Sequence, residues 1–280
     1  MTAEGIVGEY LDLRREADAD VLAMQMGDFY EFFGEDAEFV GEELDLKVSE
    51  RSSGGESYAM AGVPVDDLTP YLTALVERGY RVAVADQHEI EGGHERRIDR
   101  VVTPGTLVDP TGDDAQYLAT VVRGDDGLGL AFLDITTGRF LVTTVEDADA
   151  ANAELYRFAP TELLPGPELR TDDAFLNRLR ERLDATHTLR PTEEFGHARA
   201  RHRLREQFGD ETLASIGLDD RDSPAVGAAG AVLAYVEETG AGVSAAMSRL
   251  QHYQPSDHLN LDATTQRNLE LVETMQGGAT

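Results

Sequence analysis

Cysteine is absent from this 280-residue chain, which excludes disulfides, thiolate nucleophiles and zinc–thiolate sites together. The sequence also has no apolar run of roughly 18 to 20 residues, the length that a membrane span requires. Its first twenty residues, MTAEGIVGEYLDLRREADAD, lack the basic and then apolar order of a signal peptide. These absences predict a cytoplasmic protein that does not enter a membrane. Any catalysis or metal binding has to use side chains other than cysteine.

Lysine is nearly absent as well, since Lys47 is the only one. A P-loop needs a lysine after its second glycine to reach nucleotide phosphates, and Lys47 lies in LDLKVSE, so a Walker-type ATPase is excluded within these residues. The histidines do not show the His-x-x-x-His spacing of a helical metal site; His197 and His202 are five apart, and His88 and His94 are assigned to a polar loop. A Gly-x-Ser-x-Gly elbow is also missing. The sequence therefore predicts neither a metal nor a cofactor, and no enzyme activity of its own.

The charge is strongly one-sided, with 54 acidic and 24 basic residues and a formal net charge of −30. The acids are dispersed along the chain, and every base except Lys47 is arginine. This pattern is typical of a halophilic protein in a cytoplasm at molar salt, where the Debye length is about 3 Å; an ordinary acidic protein is the alternative. Because such salt screens repulsion from phosphates, the negative charge does not exclude nucleic acid as a partner.

An aromatic cluster near the N-terminus, MQMGDFYEFF, is unusual in so acidic a chain. Residues 21–26, VLAMQM, have the pattern of a strand, and a Gly-Asp pair follows as a turn. We expect a helix to begin near Tyr30, with Asp28 as its N-cap and Glu31 as the acid of a capping box. The expected helix carries an apolar stripe at Phe33, Ala37, Val40 and Leu44.

The remaining pattern up to about residue 111 completes one α/β domain. Residues 51–64, RSSGGESYAMAGVP, are rich in serine and glycine and predict a loop. A helix is predicted from Leu68 to Gly79, followed by the strands YRVAVADQ and RRIDRVVTPGT.

A second α/β unit is predicted to follow. The runs YLATVVR, LGLAFLDITTG and RFLVTTVE are separated by turn residues and predict a meander of antiparallel strands. The predicted elements that follow are a helix from about Asp147 to Phe158, a short strand TELLPG, a mostly helical stretch 172–208 and the small-residue helix SPAVGAAGAVLAYVEETG. Strands and helices in this order predict an α/β layer with a mixed sheet. The last residues pair a short strand with the start of a helix, so the chain looks truncated.

One enzymatic hypothesis starts from Asp134 in AFLDITTGRF, a hairpin resembling the first hairpin of ribonuclease H-like folds. Two-metal phosphodiester cleavage needs three or four clustered carboxylates, and Glu154, Glu162 and Asp172 could be nominated. The alternative is an acid that forms hydrogen bonds within its own turn. We expect the alternative, and therefore no two-metal site at Asp134.

Five segments in order resemble successive motifs of MutS, the DNA mismatch-recognition family: MQMGDFYEFFGEDA, YAMAGVPVDDLTPYLTALVERGYRVAVADQ, RVVTPGTLVD, LDITTGRF and LDATTQRNLELVETM. The resemblance implies a mismatch-binding domain at 1–111, a connector of ribonuclease H-like fold at 112–250 and the start of a helical core and lever domain at 251–280. It also implies that the ATPase and clamp regions, with their ATP and Mg, lie beyond residue 280.

The resemblance implies a role for the aromatic cluster in binding mismatched double-stranded DNA. Phe29 stands where the family inserts a phenylalanine wedge into the minor groove, and Glu31 where a glutamate hydrogen-bonds the mispaired base. A wedge has to be rigid, apolar and exposed. Kinking costs less at a mismatch because pairing and stacking are already weakened, so deformability carries the selectivity.

Further DNA-binding candidates follow from the same resemblance. Tyr30 adjoins the wedge in the motif, and Met60 corresponds to a loop residue that the family places beside it, with a buried gap-filling role as the alternative for Met60. Arg51, Arg96 and Arg97 are candidates for phosphate contacts, which position a protein without reading sequence; the alternative is that they are solvated surface residues. The chain departs from its relatives in carrying Asp66 and Asp67 after the proline loop, where His and Ala are usual, and in its lack of lysine.

In the family, two subunits clamp DNA, and ATP drives release and recruitment of MutL. A metal-dependent nuclease at Asp134 and a protein-docking α/β adaptor stay open as alternatives.

Overall fold

The computed structural model describes residues 5–107, 115–125, 127–209, 211–218, 223–240, 247 and 249–255. The chain divides into two compact units. The first comprises the described residues of Met1–Asp114 and Tyr235–Ala246, and the second those of Ala115–Ala234 and Met247–Thr280. Each contains a six-stranded mixed sheet with helices, which confirms the predicted α/β class. The predicted boundary at residues 111 and 112 lies outside the described residues.

The first unit is built on a sheet with the strand order β3-β4-β2-β1-β5-β6. Strands β1 and β5 are parallel, and the other neighbouring pairs are antiparallel. Its strands are β1 (Val21–Met26), β2 (Phe29–Phe33), β3 (Ser49–Ser53), β4 (Glu56–Pro64), β5 (Val82–Ile90) and β6 (Gly93–Val102). Its helices are α1 (Ile6–Glu16), α2 (Glu35–Leu44) and α3 (Leu68–Val76), with a short 3₁₀ turn at Val65–Asp67 before α3.

Both faces of this sheet are packed, because its inner strands alternate apolar side chains between two clusters. Val21 and Ala23 of β1 join the cluster that contains the buried residues of α2 and α3. Leu22 and Met24, on the opposite face, join the cluster that contains Val7 and Tyr10 of α1. The sheet is therefore a middle layer between α1 on one side and α2 with α3 on the other.

A buried carboxylate ties α1, α2 and β1 together. Asp36, in the first turn of α2, is 7% exposed. Its Oδ2 accepts hydrogen bonds from the Tyr10 hydroxyl at 2.7 Å, the Leu22 amide at 2.9 Å and the Arg14 Nε at 2.9 Å. A buried charge is tolerated when it is paired and hydrogen-bonded in this way.

Two local predictions for the first unit are wrong. Residues 29–33 form β2 and not the start of a helix. Helix α2 begins at Glu35, after Gly34, whose φ of 58° separates the strand from the helix. Residues 51–64 are not a loop, since they belong to the β3–β4 hairpin, which turns at Gly54 and Gly55. His88 and His94 lie in strands β5 and β6.

The second unit has the strand order β11-β10-β7-β8-β9-β12. The predicted antiparallel meander is confirmed in β7, β8 and β9, while β10 runs parallel to β7 and β12 parallel to β9. Its strands are β7 (Tyr117–Gly124), β8 (Gly127–Asp134), β9 (Arg139–Val145), β10 (Glu162–Pro165), β11 (Thr186–His187) and β12 (Leu250–His252). Its helices are α4 (Ala148–Phe158), α5 (Asp173–Arg180), α6 (His197–Phe208), α7 (Thr212–Ser215) and α8 (Ser223–Thr239). The residues of α8 from Tyr235 onward are assigned to the first unit.

Helices α4 and α8 of the second unit begin where the sequence predicts. Asp147 caps α4 by accepting a hydrogen bond from the Ala150 amide at 2.9 Å. Helix α8 is buried, and an added Cβ at Gly230 would lie 2.2 Å from the Cβ of Ala200, so glycine permits the close approach of α8 to α6. Strand β12 crosses the predicted boundary between residues 250 and 251. The rest of the predicted core domain, from residue 256, lies outside the described residues.

Candidate nucleic-acid interface

The β1–β2 turn presents an aromatic ring to solvent. The two strands pair up to Met26 and Phe29, so Gly27 and Asp28 alone form the loop. Gly27 has a φ of 61°, which suits the first position of a tight hairpin loop. On the other side of β2, the Val65 amide donates to the Asp28 carbonyl at 2.9 Å. Phe29 is therefore held by backbone pairing on both sides.

Phe29 and Phe33 differ sharply in exposure although both lie on β2. Phe29 is 47% exposed and Phe33 is 1% exposed. The Phe33 ring packs edge-on against Tyr10, with 5.2 Å between centroids. Strand alternation places both rings on the same face of the sheet, which α1 covers at Phe33. The predicted contrast in exposure is confirmed, although Phe33 lies in a strand and not in the predicted helix.

Glu31 stands between these two phenylalanines on the same face. Its side chain is 17% exposed, and its Oε2 accepts a hydrogen bond from Nη1 of Arg51 on β3 at 2.9 Å. Burial raises the pKa of Glu31, and the Arg51 guanidinium opposes that rise. Opposite Glu31 on β4 lies Gly62, where an added Cβ would contact the Glu31 Cγ at 3.5 Å. The site thus holds a half-buried carboxylate that can accept or, once protonated, donate a hydrogen bond beside an exposed ring.

The other predicted contact residues on β2 and β4 are largely covered. Tyr30 is 6% exposed and packs with the α2 and α3 cluster on the opposite face from Phe29. Its hydroxyl donates to Asp86, and burial together with that bond raises the pKa of Tyr30 to about 12. Met60 is half-buried beside Phe33 and packs against the α1 cluster. Neither side chain therefore lies beside the exposed ring of Phe29 in this structure.

The candidate phosphate-binding arginines have different surroundings. Arg51 is 38% exposed and lies 5.8 Å from the Phe33 ring centroid as well as pairing with Glu31. Arg97 is 63% exposed, and its Nε donates to Asp99 at 3.1 Å. Arg96 is 11% exposed and is held by Glu9, Gln25 and Gln87. Sequence analysis identified the three arginines but not Gln25 and Gln87, because the contact between these two glutamines joins positions 62 residues apart.

Asp134 uses its carboxylate within its own hairpin turn. It is 3% exposed, and it accepts hydrogen bonds from the amides of Thr136 and Thr137 and from the Thr137 hydroxyl. This is the turn arrangement that was expected as the alternative to a metal site.

The carboxylates that could join Asp134 are engaged elsewhere. Glu154 pairs with Arg157 and Tyr253, Glu162 bonds Thr188, and Asp172 caps α5 while pairing with Arg123. Across the described residues, no group of three or more histidine and acidic side chains is placed to hold a metal ion.

Among the helices of the described ranges, none combines the length and apolar character that crossing a bilayer requires.

Comparison with known families gives two matches that together span nearly the whole chain. The family described as MutS domain I matches residues 4–111, and MutS domain II matches residues 116–256.

Curated relatives agree with these matches. A DNA mismatch repair protein MutS 1 from Haloarcula marismortui is 64% identical over 98% of this chain and 30% of its own length. The protein of the same name from Halobacterium salinarum is 60% identical over 98% of this chain and 32% of its own. A DNA mismatch repair protein MutS from Symbiobacterium thermophilum is 35% identical over 99% of this chain and 33% of its own length. The chain spans about a third of the length of these relatives.

The two most similar of these three relatives are haloarchaeal, which accords with the dispersed acid and the single lysine of a halophilic protein. With the domain I and domain II matches lying in order along one α/β chain, this chain belongs to the MutS family of DNA mismatch repair proteins.

Proposed function

We propose that this chain binds mispaired double-stranded DNA by inserting Phe29 into the minor groove at the mispair, with Glu31 hydrogen-bonding the displaced base. The observation that carries the proposal is the 47% exposure of Phe29 on a two-residue hairpin loop, in a unit whose other phenylalanines on β2 are buried. Backbone pairing on both sides of β2 holds the ring outward at the loop, as a rigid apolar wedge requires.

The selectivity follows from the energetics of kinking. A wedge between base steps requires unstacking, which costs a few kcal/mol per step in intact duplex. A mispair has already lost part of its pairing and stacking, so the same wedge enters at a lower cost. The ring then recovers about 1 to 3 kcal/mol by stacking on the exposed base.

Glu31 refines this selection. Its neighbour Arg51 holds the carboxylate on the face that carries Phe29. When phosphates approach, they disfavour the anion further, so the carboxyl becomes a hydrogen-bond donor to a base edge. A matched base pair keeps its Watson–Crick edges engaged and presents only its groove edges to the carboxyl.

The test is a binding titration of the purified chain with mismatched and matched duplexes of one sequence, in molar KCl, with and without magnesium. Preferential binding of the mismatched duplex without cleavage supports the proposal. Equal binding of both duplexes contradicts it. Magnesium-dependent cleavage that is lost in Asp134→Asn would instead establish the nuclease alternative.

Glu31→Gln is expected to retain or tighten DNA binding while reducing discrimination between mismatched and matched duplex. The amide keeps a donor and an acceptor but removes a negative charge that phosphates repel. Affinities for both duplexes are the measurement. Glu38→Gln, which removes the same charge from an exposed position on α2, is the control and should leave discrimination unchanged.

The pH dependence should separate the same two variants. Because the bound complex raises the pKa of Glu31 above its free value, binding takes up a proton, and mismatch affinity falls as pH rises through the bound-state pKa. The slope is at most about tenfold per pH unit, the limit for one proton. This contribution should vanish in Glu31→Gln and persist in Glu38→Gln; an identical pH profile in both would contradict a titrating Glu31.

For the whole protein, we propose the family's arrangement: a homodimer that clamps DNA, ATP with Mg bound outside these 280 residues, and recruitment of MutL. Within these residues we propose binding without catalysis.

A further inference from the structure

Arg96 directs three of its nitrogens to three different acceptors. On β6, its Nε donates to the Gln25 carbonyl at 2.8 Å, its Nη2 to the Gln87 Oε1 at 2.9 Å and its Nη1 to the Glu9 Oε2 at 3.0 Å. The side chain is 11% exposed. All three hydrogen bonds of the guanidinium lie within the first unit, to acceptors on α1, β1 and β5.

The side chains of Gln25 and Gln87 also form hydrogen bonds with Gly27 in the β1–β2 turn. Gln87 Oε1 also accepts from the Gly27 amide at 3.3 Å, and the Gln25 side chain donates to the Gly27 carbonyl at 3.2 Å. The Gln87 amide donates to the Gln25 Oε1 at 3.0 Å. Both backbone polar groups of Gly27 are therefore bonded to side chains that Arg96 or its partner Gln87 holds in place.

We propose that Arg96 is a positioning residue for the wedge: it fixes Gly27, and through it the direction of Phe29, and it does not contact a DNA phosphate. This inference rests on the proposed function. Its physical basis is pre-organisation, since a ring already held in the bound direction loses less conformational freedom on insertion. The planar guanidinium can satisfy three acceptors at fixed angles, which an ammonium on a flexible stem cannot.

The neighbouring Arg97 is the natural comparison, because it carries the same charge one residue away. It is 63% exposed, against 11% for Arg96. A phosphate contact needs an accessible guanidinium, and its loss weakens binding to all sequences while lowering the salt slope by about one. A positioning residue instead affects the mismatch preferentially and leaves the salt slope unchanged.

Arg96→Lys is the decisive variant, because lysine keeps the positive charge and would still bind a phosphate. We expect the ratio of mismatched to matched affinity to fall about fivefold or more, the lower end of the loss of one base-stacking contact. The slope of log affinity against log salt should equal that of the parent chain. Arg97→Ala should show a shallower slope if that residue binds phosphate.

Gln87→Leu tests the other end of the network without changing any charge. It removes the oxygen that accepts from both Arg96 and Gly27, so it should reproduce the loss of discrimination with an unchanged salt slope. Melting temperatures of both variants establish that they are folded. Parent-like discrimination in a folded Arg96→Lys or a folded Gln87→Leu chain overturns the proposal, as does a salt slope lowered by about one in Arg96→Ala with both duplexes weakened equally.

A measurement without DNA separates failure of this inference from failure of the proposed function. Hydrogen exchange of the Gly27 amide in the free chain should be faster in Arg96→Lys and in Gln87→Leu than in the parent. If exchange is faster in the variants but the parent chain shows no mismatch preference, Arg96 still fixes Gly27 and the proposed function is rejected. Unchanged exchange in both variants would show that Arg96 and Gln87 do not fix Gly27.

Discussion

Phe29→Ala is expected to weaken mismatch binding and leave folding stability nearly unchanged, while Phe33→Ala is expected to do the opposite. The Phe29 side chain is 47% exposed, so truncation leaves no core cavity. In the proposed complex it removes a stacking contact that is typically worth about 1 to 3 kcal/mol per base. Affinity for mismatched duplex should therefore fall by roughly 5- to 150-fold.

Phe33 is 1% exposed and packs against Tyr10 in the buried cluster that also contains Leu22 and Met24. Its truncation should reduce the free energy of unfolding by about 3 to 5 kcal/mol, as removal of a buried aromatic does. Both changes remove the same atoms from one strand, so the contrast reports on role and not on residue type. The measurements are mismatch affinity and melting temperature at the salt concentration where the parent binds. Unchanged affinity with a lowered melting temperature for Phe29→Ala would show that Phe29 is a core residue and would remove the wedge from the proposed function.

Asp36→Ala is expected to reduce the free energy of unfolding by about 3 to 5 kcal/mol, the range for removing one partner of a buried charge pair. The substitution leaves the buried Leu22 amide without its Asp36 Oδ2 acceptor and removes the ion-pair partner of Arg14, whereas the Tyr10 hydroxyl keeps the Leu22 carbonyl as an acceptor. Each unsatisfied buried donor costs about 1 to 3 kcal/mol. Because these donors come from α1 and β1, the effect should extend to the docking of α1 on the sheet.

The control for Asp36 is Asp12→Ala, since Asp12 pairs with Arg15 on the surface of α1, where both side chains are at least 66% exposed. An exposed pair contributes less than about 1 kcal/mol, and molar salt screens it further. Denaturant titration of both variants at one salt concentration measures the difference through the midpoint at constant m-value. A loss below about 1 kcal/mol for Asp36→Ala would contradict the structural role of its network.

Local signals in the sequence predicted several elements correctly. The helix predicted from about Asp147 to Phe158 is α4, and the structure shows Asp147 as its N-cap. Capping and a 3.6-residue period depend on residues close together in sequence. The Thr-Thr-Gly turn similarly predicted the β8–β9 hairpin. The prediction of a helix from Tyr30 was wrong, because the helical period of the apolar stripe begins at Phe33, which is also the last residue of strand β2. Phe33 fits the i, i+4 spacing to Ala37, but residues 29–33 pair with β1 and β4 and therefore form a strand.

In the candidate site, too, some features were predicted from local sequence and others depended on the tertiary structure. An exposed Phe29 was predicted from the motif and a buried Phe33 from the apolar stripe, and the structure confirms that Phe29 is exposed and Phe33 is buried. The motif could not distinguish Arg96 from Arg97, because adjacent residues on a strand point to opposite faces and sequence alone does not say which face is covered. Tyr30 illustrates the same limit, since its pairing with Asp86 spans 56 positions.

The sequence by itself determined the α/β class, the family, the salt-adapted composition and the aromatic turn, because composition, periodicity and short motifs depend on residues near one another along the chain. Only the tertiary structure decided that Glu31 faces Arg51, that Asp36 is enclosed by α1 and β1, and that the Gln87 Oε1 accepts hydrogen bonds from both Arg96 and Gly27. The physical reason is that these contacts depend on strand register and on which sheet face a helix covers. Both are settled by burying two apolar clusters at once, through interactions between residues far apart in sequence.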